Sequence, residues 1–248
     1  MSSCDDIKGF FENPFAEDYI NISEENLRFA VMSISSACTQ LEGACPTDEQ
    51  RAYLASIMKM CCRLMQSAEM NTQLRNALAP SGPARETVST GRLLREIAEG
   101  CMLSLANICR VSSDADDMLF VVCSRHLLRY LILGIIRRGV RDGAESVVLS
   151  AEAADGEVCI SVEFSGIRDK ENGVPSELND VYFNDINEVL AGGVGGKFTF
   201  DGKRAQIRLP VAPEGPDAEL RSSENFFDSS VFSIYNIMLG DLSDHIFY

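Results

Sequence analysis

Val122-Cys-Ser-Arg-His-Leu-Leu-Arg-Tyr-Leu-Ile-Leu-Gly-Ile-Ile-Arg-Arg-Gly139 is the greasiest part of the chain, and its neighbours take their meaning from it. Leu119–Cys123 predicts a short strand, and Arg125–Arg138 a helix apolar on most of its circumference, which belongs inside a domain rather than on its surface. Its apolar run, Leu127–Ile136, is interrupted by Arg129 and reaches only about half of the roughly 20 residues a membrane span needs. Downstream, Ser146–Ala151 and Glu157–Phe164 alternate apolar and polar residues on either side of Asp155-Gly156, the pattern of two strands joined by a tight turn. A polar loop, Arg168–Leu178, a short helix, Asn184–Leu190, and two strands, Gly196–Phe200 and Ala205–Val211, on either side of Asp201-Gly202 follow. The fold class is therefore α+β, with helices covering one face of a mostly antiparallel sheet.

Upstream, the spacing predicts three amphipathic helices. From Ser23, the residues Leu27, Ala30, Val31, Ile34, Ala37, Cys38 and Leu41 recur at three and four. Glu42-Gly-Ala-Cys-Pro46 breaks that helix, and Thr47 with Gln50 has capping-box spacing for a second, which runs to about Leu78 and stops before Pro80-Ser-Gly-Pro83. Thr90–Ile108 is the third. The first two form a hairpin with apolar stripes to bury, either against a second copy in a four-helix bundle or under another layer of the same chain. The expected division is an N-terminal segment 1–22, a helical-hairpin dimerisation domain 23–80, a sandwich 84–213 and a tail 214–248.

Composition narrows the function classes. The chain of 248 residues has enough apolar content, 46%, for one or two packed domains. With 22 basic and 37 acidic residues its net charge is −15, a field that opposes nucleic-acid binding. Met1–Lys8 opens with acids and lacks a basic-then-apolar leader, so a cytoplasmic protein is expected. Nine cysteines, an odd number with Cys61 and Cys62 adjacent, and only His126 and His245 beside them, read as reduced core thiols with no metal site. The tail carries acids at 214, 217, 219, 224, 228, 241 and 244 against Arg221 alone, −6, yet it is rich in Phe, Ile and Leu. It either docks back on the domain or presents a recognition segment.

The order of these elements resembles the dimerisation bundle plus GHKL-type ATP-binding domain of bacterial sensor histidine kinases, over about Ser23–Pro210. Asp48-Glu-Gln-Arg-Ala-Tyr-Leu-Ala-Ser-Ile57 resembles the start of that family's second bundle helix. Val122–Gly139 is similar to its asparagine-bearing ATP-site helix, Ala191-Gly-Gly-Val-Gly-Gly-Lys-Phe198 to its glycine turn, and Ala205–Pro210 to its last strand. The resemblance implies a phosphoaccepting histidine followed by Glu-Leu-Arg, and Glu25-Asn-Leu-Arg28 stands there instead. It implies magnesium-holding asparagines where this chain has Gly134 and Arg138, and an adenine-binding aspartate where it has Phe164, with Gly166 retained after the strand. Between Asn172 and Asn184 the glycine-rich lid has no counterpart.

These substitutions set the expectation of a dimeric, histidine-kinase-like pseudokinase in two-component signalling, not an enzyme, with no cofactor and no metal. It would bind a response-regulator receiver domain or a kinase through Glu25, Asn26, Arg28 and Phe29. The alternative is a histidine-type phosphotransferase relaying phosphate between receivers, for which only His126 and His245 are available, His126 reading as a structural residue of the apolar helix. Arg137, Arg138 and Arg141 could hold an anion or pair with the chain's own acids.

Overall fold

The computed structural model describes residues 14–44, 47–167, 182–212 and 233–242. Two long helices, α1 (Pro14–Glu42) and α2 (Asp48–Leu78), form the hairpin. The sandwich follows as β1 (Glu86–Ser89), α3 (Thr90–Leu105), β2 (Arg110–Ala115), β3 (Phe120–Cys123), α4 (Arg125–Arg141), β4 (Ser146–Ala154), β5 (Glu157–Ser165), α5 (Phe183–Gly193), β6 (Lys197–Phe200) and β7 (Arg204–Pro210). A C-terminal strap holds α6 (Ile234–Leu239) and a 3-10 turn, Gly240–Leu242.

Local sequence explains most of these boundaries. The Thr47 side chain accepts from the Gln50 amide and starts α2, while Ser89, Ser124 and Ser233 do the same for α3, α4 and α6. Asp155 and Gly156 both have positive φ, 53° and 78°, which lets Ala154 face Glu157 across a two-residue hairpin. The first helix departs from the sequence expectation: it begins at Pro14 rather than near Ser23. Proline suits the first turn, where its missing N–H costs no hydrogen bond, so Ser23 falls inside the helix rather than at its cap.

The main sheet has the order β2-β4-β5-β7-β6; β2 runs parallel to β4 and every other pair is antiparallel. β1 and β3 form a separate antiparallel pair, joined to the main sheet where Val121 bridges Val211. Alternate residues Val147, Leu149, Val158, Ile160, Val162, Ile207 and Leu209 turn to one face and are buried under α3 and α4. Leu127, Leu128, Leu131–Leu133, Ile135 and Ile136 of α4 are almost wholly inaccessible, as an all-round apolar helix requires.

The hairpin has a small apolar cluster of its own, Val31, Cys61 and Met65, completed by Ile237 of the strap. Below it lies a polar layer. Arg28 donates to Glu69 at 3.1 Å and to Thr72 at 3.2 Å, Arg75 to Glu24 at 2.8 Å, and Thr72 to Glu24 at 3.1 Å. Beyond it α2 packs on the sandwich: Leu74 joins the main core, Tyr130 of α4 donates to the Met70 sulfur, and Ala77 touches Gly193 so closely that a side chain on that glycine would collide with it. Seven described cysteines are free thiols and six of them are buried.

Candidate functional site

The sandwich and the hairpin frame a small open cleft between α4, α5, the middle of α2 and the strap. Gly134, Arg138 and Arg141 reach it from successive turns of α4, Phe183 and Asn187 from α5, Gln66 and Met70 from α2, and Met238 from the strap. The four-residue step from Gly134 to Arg138 is what puts both on the same face of α4.

Several wall residues have defined partners. Arg138 bonds Asp142 at 2.7 Å and stacks its guanidinium over the Phe183 ring, 5.5 Å from the centroid. The buried Asn187 amide donates to the Phe183 carbonyl at 2.7 Å. Burial pushes the Tyr130 hydroxyl up, so it stays protonated. At Gly134 a side chain would meet only the Met238 methyl, 3.9 Å away, so α4 leaves room there.

The sequence-predicted site residues divide into two groups. Gly134 and Arg138 meet in the cleft. Phe164 and Gly166 do not line it. The Phe164 ring is buried against α4, edge-on to Phe200 at 6.3 Å, where it fills the space that a side chain on Gly139 would need: a Cβ there would lie 2.2 Å from the ring. Gly166 turns the chain after β5 with a φ of 75°, closed over the Glu145 side chain. Of the three arginines considered for an anion, Arg137 is buried and paired with Asp241, and Arg138 is paired with Asp142. The expected loop 168–178 and the missing lid between Asn172 and Asn184 fall largely outside the described residues.

On the hairpin, Glu25, Asn26 and Phe29 are exposed on α1, Phe29 to 74%. Arg28 turns the other way, into the polar layer. Sequence reasoning missed the surroundings of His126, whose Nε2 lies 3.3 Å from the Glu69 carboxylate of α2 while its side chain stays 56% exposed. Burial would raise the Glu69 pKa, but hydrogen bonds from His126, Gln73 and Arg28 outweigh it and hold the carboxyl at about 2. The signal was available: His126 sits in the first turn of a helix facing the hairpin, not in its apolar middle.

Three solved structures can be set beside this architecture. The Acinetobacter baumannii histidine kinase AdeS superposes with a TM-score of 0.51 at 12% identity, over 74% of this chain and 96% of its own, more than the sandwich alone supplies. The fold is that of a histidine kinase core. The ATP-binding domain of PrrB from Mycobacterium tuberculosis, 23% identical over 52% of this chain and 98% of its own, gives a TM-score of 0.43. The mycobacterial sensor histidine kinase MprB, 15% identical over 53% of this chain and all of its own, gives 0.41. No family model matches the sequence, and no curated protein matches it.

One expectation is corrected by this likeness. The chain was expected not to be an enzyme, because Gly134, Arg138, Phe164 and Glu25 replace the residues that handle nucleotide and phosphate. AdeS, which shares the fold, is a histidine kinase and so an enzyme, and the absence of activity therefore does not stand as a conclusion for this chain. A cleft does lie beside α4, and Phe164 is not among its walls.

The wall chemistry can be tested against the groups the fold implies. Arginine and amide donors suit an anion such as a phosphate, whereas magnesium favours carboxylate oxygens, and no described lining residue carries one. Among the described residues, no three His, Cys, Asp or Glu side chains come together as a metal site, and no helix is long and apolar enough to cross a membrane.

Proposed function

We propose that this chain works in bacterial two-component signalling as a homodimer whose helical bundle docks a response-regulator receiver domain or a kinase. The supporting observation is the outer surface of the hairpin. Met32 and Leu41 of α1 and Tyr53, Ile57 and Met60 of α2 are exposed large apolar side chains, although both helices already have a packed inner face. Burying a few hundred Å² of such surface yields several kcal/mol at about 25 cal/mol per Å², which favours pairing with a second hairpin. Glu25, Asn26 and Phe29 form the receiver-facing patch, with Arg28 fixing that turn of α1 from beneath. The unpaired thiols fit a cytoplasmic setting.

Light scattering and titration with purified receiver domains test the reading. The chain should run as a dimer, and Phe29→Glu should weaken receiver binding at least tenfold. A monomer that binds neither receivers nor kinases would overturn it.

The pairing of His126 with Glu69 favours a second reading, phosphotransfer. With the Nε2 proton held toward the Glu69 carboxylate, the Nδ1 lone pair is the nucleophile. An Nδ1–P bond would form as the P–O bond to a receiver's aspartyl phosphate breaks, and the aspartate leaves as carboxylate. Incubation with a phosphorylated receiver should then place acid-labile phosphate on this chain and none on His126→Gln. An unlabelled wild-type chain would dismiss this reading and leave the docking one intact.

A further inference from the structure

The strap enters the angle between hairpin and sandwich and bonds to both. Asp241, buried in its 3-10 turn, accepts from Arg63 of α2 at 3.1 Å, from Gln66 of α2 at 3.0 Å, and from both terminal nitrogens of Arg137 of α4, one of them at 2.9 Å. Two backbone carbonyls of the strap repeat the pattern. Ile237 accepts from Gln66 at 2.6 Å and Met238 from Arg137 at 2.9 Å. Tyr235 donates to the Glu96 carbonyl of α3, in a hollow that exists because residue 100 is glycine: a Cβ there would lie 2.3 Å from the tyrosine ring.

We propose that residues 233–242 are an intramolecular latch: Asp241 clamps α2 of the hairpin to α4 of the sandwich, and releasing it frees the two to move and opens the Met238 wall of the cleft. Three features point to a latch rather than to ordinary core. First, the attachment converges on one carboxylate shared by arginines from the two bodies, so losing it leaves Arg137 buried and uncompensated, and the contact has two states rather than a graded one. Second, the strap is short, a helix of six residues and one 3-10 turn, and its apolar anchors are divided between the two bodies, Met238 and Leu239 in the main core and Ile237 in the hairpin cluster. Third, besides the packing of Met70, Leu74 and Ala77 of α2 on the sandwich, the two bodies are joined along the chain by Ala79–Arg85, whose turn at Gly82 and exposed Arg85 can absorb a change of angle. The latch stands independently of whether the bundle docks a receiver.

The test uses the full chain and two variants, Asp241→Asn, which removes the charge, and Arg63→Ala, which cuts the tie to the hairpin at a half-exposed side chain and keeps the question open if the first fails to fold. Hydrogen–deuterium exchange should rise about tenfold in the strap and in α2 around Met58–Met70 with β4 and β5 unchanged, and trypsin should cut faster after Arg85. Exchange and cleavage equal to wild type in Arg63→Ala and in any folded Asp241→Asn would overturn the latch. So would loss of protection in β4 and β5 together with α2, which would make the strap part of one cooperative core.

Discussion

The contact between Gly139 and Phe164 predicts a change of sign. Gly139→Ala should destabilise the wild-type chain, although alanine is a better helix former than glycine by about 1 kcal/mol. The new Cβ would stand 2.2 and 2.3 Å from two ring carbons of Phe164, against an ordinary carbon contact of roughly 3.5–4.0 Å. Phe200 packs edge-on against the same ring, 6.3 Å between centroids, and limits where it can go. Overpacking of this kind costs about 1–3 kcal/mol, and with the ring wedged the upper end applies, so the net loss is about 2 kcal/mol. Phe164→Ala alone should cost about 3–5 kcal/mol as a buried aromatic truncation. In the Phe164→Ala background the collision is gone, and Gly139→Ala should now stabilise by about 1 kcal/mol, a coupling of about 3 kcal/mol. Urea denaturation of the four proteins, followed by circular dichroism, measures it. Additive single effects, within about 0.5 kcal/mol, would refute the view that Phe164 occupies the place of a side chain at residue 139.

Acid should weaken the joint between hairpin and sandwich. Burial opposes the charge of Asp241, but the Arg137 hydrogen bond and charge, with Gln66 and Arg63, hold its carboxyl at about 2, and Glu69 is likewise held at about 2. Both groups are depressed relative to the unfolded chain, so their contribution, about 2–3 kcal/mol each, is complete above pH ~4.5 and is lost between there and pH ~2. Thermal melts across that window should show the fall, and Asp241→Asn should flatten part of it. Burial pushes the Cys62 thiol up to about 12, aided by Asp241 and Cys61, so in the native chain at pH 8 it should resist alkylation until the strap is displaced or the protein unfolded, read by mass spectrometry of the modified peptide.

Much of this was legible because local chemistry and global packing agree. Thr47 and Gln50 give the start of α2, Asp155-Gly156 the β4–β5 turn, and the mostly apolar circumference of α4 its place at the centre. The strands β1 and β2 were not legible. Arg110-Val-Ser-Ser-Asp-Ala115 is too polar to read as a strand, and it forms one because β4 offers it a parallel edge. Nor did the sequence reveal that Asp241 meets Arg137, since 104 residues separate them and any acid of the tail was as good a partner on paper. At the candidate site, register alone put Gly134 and Arg138 in the cleft. It could not tell that Phe164 faces away from it, because that depends on which side of β5 meets Gly139.

The polar layer inside the hairpin limits how the two helices can move. Arg28–Glu69 and Arg75–Glu24 lock one relative height of α1 and α2, with Thr72 linking the two pairs. Sliding one helix past the other by a turn, about 5.4 Å, would break both charge pairs at once and strand their members beside apolar neighbours. The pair can therefore tilt or twist as a unit, while a slide of one helix along the other is closed to it.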